Sequence, residues 1–286
     1  MGKIKNLILY SDKISKDMNF LIVSDMHLTS DFGYSNLRKI SFNNYIDFNS
    51  IDHIIIPGDV VNDVNDLKDK NFKILLQDAL YELSHRKPVF VSYGNHDQMT
   101  KHNSNKWLPG DRIILKKSLE EIPNFTLISS GEQIEKDGIE YSACSPIFSY
   151  YEGKKENMLE YKKYFYANCW NVDFSKDKYS IFLTHEPQSI IRLSKEKGKC
   201  ILPNTDLVIS GHMHNGLVPN FLQTIIKNKG FISPQMELLP DYAQGEFQVG
   251  DTNFIINGPV NTRVETPIIN EIYGEKATVL TLKKKM

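Results

Sequence analysis

Short apolar runs recur along the chain, and most end in glycine or in a side chain that can bind metal. Runs of this kind are typical of buried strands. Between the second and third runs, residues 66–85 place leucine, phenylalanine and alanine at helical spacing. Strand, helix and strand joined by short links predict an α/β fold whose sheet is covered by helices. The predicted strands are residues 20–23, 53–57, 88–93, 179–183, 206–210, 254–256 and 277–282.

The remaining stretches predict smaller elements. Residues 1–17 read as an edge strand or arm, and residues 125–143 as short strands with a hairpin turn at 136–138. Residues 155–169 have roughly helical spacing, and Pro187 suits the first position of a helix. Residues 98–124 and 217–250 are less regular. Neither a repeat nor a linker is visible, so a single domain over residues 1–286 is expected.

Composition narrows the class of protein. The 286 residues carry 34 basic and 35 acidic side chains, a net charge of −1, which argues against binding long nucleic acid. The three cysteines lie far apart without a Cys-x-x-Cys pair, which predicts buried, reduced thiols. Since no apolar run approaches the length of a membrane span and the N-terminus lacks a signal-peptide core, a cytoplasmic protein is expected.

Five short segments contain metal-ligand side chains and account for five of the eight histidines. Four of them directly follow an apolar run. Because ligands in open α/β sheets gather at the carboxyl ends of strands, these loops are expected to line one crevice. Carboxylate, amide and imidazole groups together can hold two divalent ions, a device for phosphoester hydrolysis. The segments are Asp25-Met26-His27, Gly58-Asp59, Gly94-Asn95-His96-Asp97, Thr184-His185-Glu186 and Gly211-His212-Met213-His214.

Each segment also has an ordinary reading. Asp25 and His27 could form a chance pair, Asp59 a helix cap, and Gly94-Asn95 a simple turn. In the pairs Asp25/His27 and His212/His214, a spacing of two on an extended backbone would turn both side chains the same way. The order of all five segments at strand ends favours a shared site. His53, His85 and His102 lack such surroundings, and we expect them to be structural or exposed.

The ordered set resembles the calcineurin-like metallophosphoesterase superfamily, whose pattern is Asp-x-His, Gly-Asp, Gly-Asn-His-Asp/Glu, a histidine and Gly-His-x-His. The match spans Asp25 to His214. The single-domain bacterial branch is most similar, because the last motif continues to Gly216 and Glu271-Ile272 precede a final strand. The resemblance implies a sandwich of two mixed β-sheets flanked by helices, with metals at the sheet ends.

The resemblance also implies a division of roles. Asp25, His27 and His214 would hold the first metal ion, Asn95, His185 and His212 the second, and Asp59 would bridge both. Imidazole suits Mn, Fe, Ni and Zn, and Mn is favoured here. Water between the two cations would become hydroxide and attack phosphorus, while His96 would stabilise the transition state or protonate the leaving oxygen.

One position departs from the family. Many relatives carry aspartate three residues after the bridging aspartate, where it can pair with the catalytic histidine. Here that residue is Asn62, which could orient His96 as an amide but could not stabilise an imidazolium by charge. Asp63 and Asp97 are the two candidates that could supply the missing charge, and the sequence leaves both open.

Substrate choice is expected to lie in loops around residues 98–115, 145–151 and 217–250, which contain His102, Trp107, Tyr150 and Tyr151. Those aromatic side chains could equally fill the core. A small phosphomonoester or phosphodiester is the expected substrate. The alternatives are a metal-stabilised binding or scaffold protein, or a nuclease, which would need a basic groove. The sequence does not indicate an oligomeric state.

Overall fold

A computed structural model describes most of the chain. It covers residues 3–31, 33–102, 106–151, 158–219, 221–223, 225–234, 236–261 and 276–285. Glu271 and Ile272, and the first three residues of the helix expected over 155–169, lie outside the described residues. None of the helices in these ranges is long and apolar enough to cross a membrane.

Fourteen strands are formed by the described residues, and most coincide with the apolar runs. In chain order they are β1 Lys3–Ser11, β2 Met18–Ile22, β3 His53–Ile56, β4 Val89–Val91, β5 Met99–His102, β6 Lys106–Pro109, β7 Phe125–Leu127, β8 Gln133–Lys136, β9 Ile139–Cys144, β10 Tyr179–Thr184, β11 Leu207–Ser210, β12 Gly245–Val249, β13 Thr252–Ile256 and β14 Lys276–Lys284.

Twelve of these strands build two mixed six-stranded sheets. The first has the order β1-β14-β2-β3-β4-β7, and the second has the order β12-β13-β11-β10-β9-β8. Strands β2, β3, β4 and β7 run parallel, as do β9, β10, β11 and β13. Their carboxyl ends therefore lie at one edge of each sheet, which is where ligands of α/β proteins gather.

The two sheets pack face to face. One buried cluster joins Phe20, Ile55 and Phe90 of the first sheet to Tyr141 and Ile181 of the second. The outer faces carry two further clusters, which helices cover. This α/β sandwich confirms the expected fold class. The helices are α1 Tyr34–Ser41, α2 Lys70–Ser84, α3 Arg112–Glu120, α4 Phe148–Tyr151, α5 Met158–Asn168 and α6 Gln188–Lys197.

Several boundaries differ from the sequence-based expectation. Helix α2 begins at Lys70, because the side chain of Asp69 caps it by accepting from the amides of Asn71 and Phe72. The irregular stretch 98–124 contains the hairpin β5–β6 and the helix α3, which Asp111 caps in the same way. Pro187 is the cap residue before α6 instead of its first residue.

The residues outside the five segments behave as expected. All three cysteines are buried and free. His85 ends α2 in a left-handed conformation, and His102 is exposed. His53 has a specific structural role, because it is buried between the sheets and links them. Its Nδ1 lies 2.6 Å from the Tyr141 hydroxyl and its Nε2 lies 2.8 Å from an Asp137 oxygen.

Burial lowers the pKa of His53, although Asp137 opposes this. A neutral ring satisfies both neighbours when Nε2–H donates to Asp137 and Nδ1 accepts from Tyr141. This chain of polar contacts crosses from the first sheet to the second inside an otherwise apolar layer, where an unpaired acceptor is costly.

We expect Tyr141→Phe to lower the free energy of unfolding by about 1–3 kcal/mol, because it leaves a buried imidazole nitrogen without its donor. Tyr179→Phe is the matched control. Its hydroxyl is also buried in the inter-sheet layer and has no hydrogen-bond partner among the described residues. Urea unfolding of the two variants measures the difference. Equal losses in both would mean that the bond to His53 contributes nothing.

Candidate metal centre

The five ligand-bearing loops meet at the carboxyl edge of the two sheets, and their backbone is strained there. Asp25, His27, Asp59, His212 and His214 all have positive φ, between 45° and 68°. Residues other than glycine rarely adopt this left-handed region, and each such residue costs on the order of 1–3 kcal/mol. Strain concentrated in this way is typical of functional sites.

The left-handed backbone corrects one sequence argument. We expected Asp25 and His27, and likewise His212 and His214, to share a face because an extended chain repeats every two residues. The backbone is not extended at any of these four residues. Their side chains converge because the left-handed turn at each residue sets the direction of its side chain individually. As a result, His212 and His214 belong to two different groups of ligand atoms, described next.

The first group comprises Asp25, His27 and His214, and its ligand atoms all lie within 4.8 Å of one another. The Nε2 atoms of His27 and His214 are 3.3 Å apart, and His214 Nε2 is 3.5 Å from Asp25 Oδ1. The backbone amide of His212 donates to the Asp25 carboxylate at 3.0 Å, which fixes its orientation. This group matches the first metal set implied by the family resemblance.

The second group comprises Asp59, His185 and His212, again within 4.8 Å. Asn95 joins it, since its Oδ1 lies 3.2 Å from His185 Nε2. His185 Nδ1 lies 2.8 Å from the carbonyl oxygen of Pro57 and can donate to it, which leaves Nε2 as the ligand atom. All four residues expected around the second ion are therefore brought together.

Asp59 contacts both groups. Its Oδ2 lies 3.1 Å from His185 Nε2 and 3.6 Å from His27 Nε2, while its Oδ1 accepts from the His96 amide at 2.8 Å. Burial alone would raise the pKa of Asp59, but His185, His96 and His27 hold it well below the usual range. The carboxylate is thus ionised and directed between the two clusters, as a bridging ligand must be.

The pKa values of the two histidines in the second group shift in opposite directions. Burial opposes the charged form of His185, but the Asp59 carboxylate outweighs it and raises the pKa to about 9. Burial and the nearby His185 hold the pKa of His212 well below its usual value. The second group therefore places a neutral imidazole, His212, beside an ionised carboxylate, Asp59, which are the protonation states in which these side chains bind metal. A divalent cation in each group would satisfy this donor set, so the residues fit two metal ions.

Glycines in the motifs make room for the carboxylates. A Cβ atom added at Gly94 would lie 2.1 Å from Asp59 Oδ1, and one added at Gly211 would lie 2.6 Å from Asp25 Oδ2. Both distances are far below van der Waals contact. Gly94 and Gly211 are therefore required by the close approach of a carboxylate to the backbone.

His96 lies beside the two groups. One of its ring nitrogens is within 4.8 Å of the ligand atoms of His27 and Asp59. Its Nδ1 lies 2.7 Å from the backbone carbonyl oxygen of Asn62, to which it can donate. The ring also packs edge-to-face against His27 and against Trp107 of the β5–β6 hairpin, with centroids 4.8 and 4.7 Å apart. Asn62 thus reaches His96 through its main chain, where the sequence suggested its amide side chain.

The two aspartates considered as substitutes are engaged elsewhere. Asp63 Oδ2 accepts from the Lys101 amide at 2.7 Å and so anchors the β5–β6 hairpin. Asp97 is fully buried and accepts from the amides of Gly94 and Val61 at 2.8 and 3.1 Å. Burial and the neighbouring Asp59 raise the pKa of Asp97 to about 7. Asp97 therefore fixes the two loops that carry Asp59 and Asn95.

Sequence reasoning missed the support given by Asn261. Its side-chain amide donates to the Met26 carbonyl at 2.9 Å, and its backbone amide donates to the Asp25 carbonyl at 3.3 Å. Together with the Val260 amide, which donates to Ser24, it holds the Asp25–His27 loop in its left-handed form. No pattern around Asn261 could have indicated this, because the contact joins residues at opposite ends of the chain.

The aromatic residues in the loops expected to determine substrate choice differ in how close they lie to the metal-ligand groups. Besides Trp107, Tyr151 lies near the groups, with its ring centroid 5.9 Å from that of His212. Tyr150 is instead a core residue whose hydroxyl donates to buried Glu186 at 2.8 Å. His102 is exposed on the hairpin.

Comparison with known proteins agrees with this geometry. A metallophosphoesterase from Helicobacter pylori of uncharacterised function is 26% identical over 225 residues, which cover 76% of this chain and 50% of that protein. A probable cyclic nucleotide phosphodiesterase from Coxiella burnetii is 26% identical over 212 residues, covering 72% and 79%. The chain thus spans about half the length of the Helicobacter relative.

Among solved structures, a dimetal phosphatase from Danio rerio superposes with a TM-score of 0.46 at 11% identity, covering 87% of this chain and 89% of that one. A family model for the calcineurin-like phosphoesterases matches residues 18–216, which include all five ligand-bearing segments. The chain belongs to the calcineurin-like phosphoesterase family.

Proposed function

We propose that this chain is a dinuclear-metal-dependent phosphoesterase that hydrolyses a small phosphomonoester or phosphodiester. The observation that supports this best is the pair of donor groups that share contact with Asp59. A single structural metal would need only one such group. The donor set of imidazole, carboxylate and amide suits Mn, Fe, Zn or Ni, and we favour Mn.

Each residue has a defined task in this proposal. Asp25, His27 and His214 would hold one ion, and Asn95, His185 and His212 would hold the other, with Asp59 within reach of both groups. Two bound divalent ions would supply an activated water and neutralise charge on the phosphoryl oxygens. The amides of His212 and His96 keep Asp25 and Asp59 aimed at the ions, and the Pro57 carbonyl keeps His185 in the correct tautomer.

His96 is the proposed proton donor to the leaving oxygen. Because Nδ1 can donate to the Asn62 carbonyl, the other ring nitrogen is the one that can face the substrate. A backbone carbonyl orients the ring without adding a full negative charge. The Asn62 side chain is therefore dispensable for this role, and the departure from the family pattern does not remove the acid.

The substrate is proposed to be small. The net charge of −1 gives little attraction to a long polyanion, which disfavours the nuclease alternative. Trp107 and Tyr151 approach His96 and His212 from two of the inserted loops, so a substrate with a planar group could pack against them. The name of the Coxiella relative, a probable cyclic nucleotide phosphodiesterase, suggests a diester as the first substrate class to test.

We also propose that residues 1–286 act as one domain. Asp25, Asp59 and Asn95 follow strands of the first sheet, and His185 and His212 follow strands of the second. The first and the second group each combine residues from both sheets, so separating the sheets would remove both of these groups.

Metal-stripped protein supplied with Mn²⁺ should hydrolyse bis-(p-nitrophenyl) phosphate or p-nitrophenyl phosphate, and the preferred ester assigns the diesterase or monoesterase class. Asp59→Asn should lower kcat/KM by at least about 100-fold, because it removes the charge shared by both ions. Release of p-nitrophenolate measures turnover, and elemental analysis measures bound metal.

Asp137→Asn serves as the matched control, since Asp137 lies in the β8–β9 turn and contacts only His53 among the residues discussed. It should keep both metal content and turnover. Hydrolysis that survives in Asp59→Asn would contradict the shared carboxylate. Folded, fully metal-loaded protein that hydrolyses neither ester would support the binding or scaffold alternative.

The role of His96 can be separated from that of Asn62. His96→Ala should lower kcat on the order of 10²–10⁴-fold while two ions still bind, because general acid help is lost but the ligands remain. Asn62→Ala should keep kcat within about threefold, since its backbone carbonyl is unchanged. Steady-state kinetics with elemental analysis decides this. A large loss in Asn62→Ala would assign the task to its amide side chain instead.

A further inference from the structure

The β5–β6 hairpin is fastened to the loop whose main chain holds His96. Asp63 directly follows Asn62 in this loop, and its side chain reaches the first strand of the hairpin. Its Oδ2 accepts from the Lys101 amide at 2.7 Å and from the Thr100 hydroxyl at 3.2 Å. One carboxyl oxygen of Asp63 therefore receives two donors of the hairpin.

Contacts on either side of Asp63 strengthen this attachment. Its Oδ1 accepts from the Asn65 amide at 2.9 Å, and Asn65 Nδ2 donates to Thr100 Oγ1 at 2.7 Å. At the far end of the hairpin, Gly110 packs so closely on Val64 that an added Cβ would lie 2.3 Å from Val64 Cγ1. Both strands of the hairpin are thus held by one short segment of the loop.

The hairpin places Trp107 against His96. Trp107 is paired across the hairpin with Lys101, whose amide donates to Asp63. Its ring packs edge-to-face on His96 with centroids 4.7 Å apart, and His96 is only 6% exposed. The Nδ1 atom of His96 lies 2.7 Å from the Asn62 carbonyl oxygen. Two contacts that orient this imidazole therefore depend on residues that Asp63 holds or adjoins.

The direction of the Asn62 carbonyl is also tied to Asp63. This carbonyl and the Asp63 amide belong to one planar peptide unit. Asp63 has an extended backbone, with φ −143° and ψ 122°, and its side chain caps the short 3-10 helix Val64–Lys68. On the other side, the Asn62 amide donates to the Leu28 carbonyl at 3.0 Å. Fixing Asp63 thereby fixes the carbonyl that faces His96.

We propose that Asp63 is a positioning residue for the proton donor His96. It acts through the hairpin, which holds Trp107 against the imidazole, and through the peptide unit that aims the Asn62 carbonyl at Nδ1. The proposal rests on the proposed function, because it concerns the group that gives its proton to the leaving oxygen as the P–O bond breaks. In this role Asp63 contributes position, and not the charge that Asn62 lacks.

The dependence of the rate on the leaving group tests this role. Asp63→Asn replaces one acceptor oxygen with a donor, so either the hairpin or the cap loses its bond. We expect kcat for a phenyl ester to fall about 10- to 100-fold with bound metal unchanged, because a displaced acid donates poorly. The matching p-nitrophenyl ester should lose less, since its leaving oxygen needs less help from an acid. Thr100→Val removes a donor of the hairpin without changing any charge and should shift the ratio of the two rates in the same direction.

A double-mutant cycle shows whether Asp63 acts through His96. In a His96→Ala background, Asp63→Asn should change kcat by less than about twofold, because no imidazole remains to be positioned. A full additional loss in the double variant would overturn the proposal. It is equally overturned if Asp63→Asn lowers kcat while Thr100→Val does not, since Asp63 would then act by its charge.

Tryptophan fluorescence reads the attachment of the hairpin without turnover. In a Trp170→Phe background Trp107 is the single remaining tryptophan. Asp63→Asn and Thr100→Val should each raise its acrylamide quenching constant about twofold, because a released hairpin exposes the indole. Asp69→Asn is the matched control, since Asp69 is also a capping aspartate but serves α2. It should leave both the quenching and the ratio of rates unchanged.

The two kinds of measurement separate this proposal from the proposed function. Unchanged quenching in Asp63→Asn and Thr100→Val would overturn the role of Asp63 even in a protein that hydrolyses neither ester. Raised quenching in a folded, metal-loaded protein without turnover would support the attachment and contradict only the proposed hydrolysis.

Discussion

The contact of one buried carboxylate with two histidine clusters is the constraint on which the rest of this structure depends. Asp59 follows a central strand of the first sheet, and it must reach His185, which follows a central strand of the second. This distance of 3.1 Å can be met only if the carboxyl edges of both sheets coincide. The apolar layer between the sheets, with Phe90 and Tyr141 stacked 4.1 Å apart, sets that alignment.

The same contact explains why the backbone is strained around the centre. Side chains within a strand stand roughly perpendicular to the sheet and do not reach over the edge at which the strand ends. Left-handed turns at Asp25, Asp59 and His214 bring the side chains back over that edge. Main-chain amides of other loops stabilise this conformation, since His212 donates to Asp25 and His96 donates to Asp59. Bound cations would add to this stabilisation, because they favour the same arrangement over the unfolded chain.

Sequence patterns predicted the strands and the convergence of the ligand side chains. They did not predict the backbone conformation that makes those side chains converge. Buried strands such as β3 and β10 are recognisable because both of their faces are apolar. The side-chain directions of His212 and His214 depend on φ at single residues, which periodicity cannot indicate. Helix α3 was not predicted, because lysines interrupt its apolar positions and hide the helical spacing. The Asn62 carbonyl and Asn261 contribute through backbone and long-range contacts, which leave no local pattern in the sequence.

The last histidine motif connects the metal-ligand groups directly to the packing of the segment that follows it. Met213 packs in the apolar cluster on the outer face of the second sheet, the next residue, His214, belongs to the first metal-ligand group, and Asn215 after it is buried. The tight approach of Gly216 to Gly230 holds the following segment against this turn, since a Cβ at Gly216 would lie 2.3 Å from the Gly230 Cα. The turn that positions His214 therefore continues directly into the packing of Gly216 against Gly230.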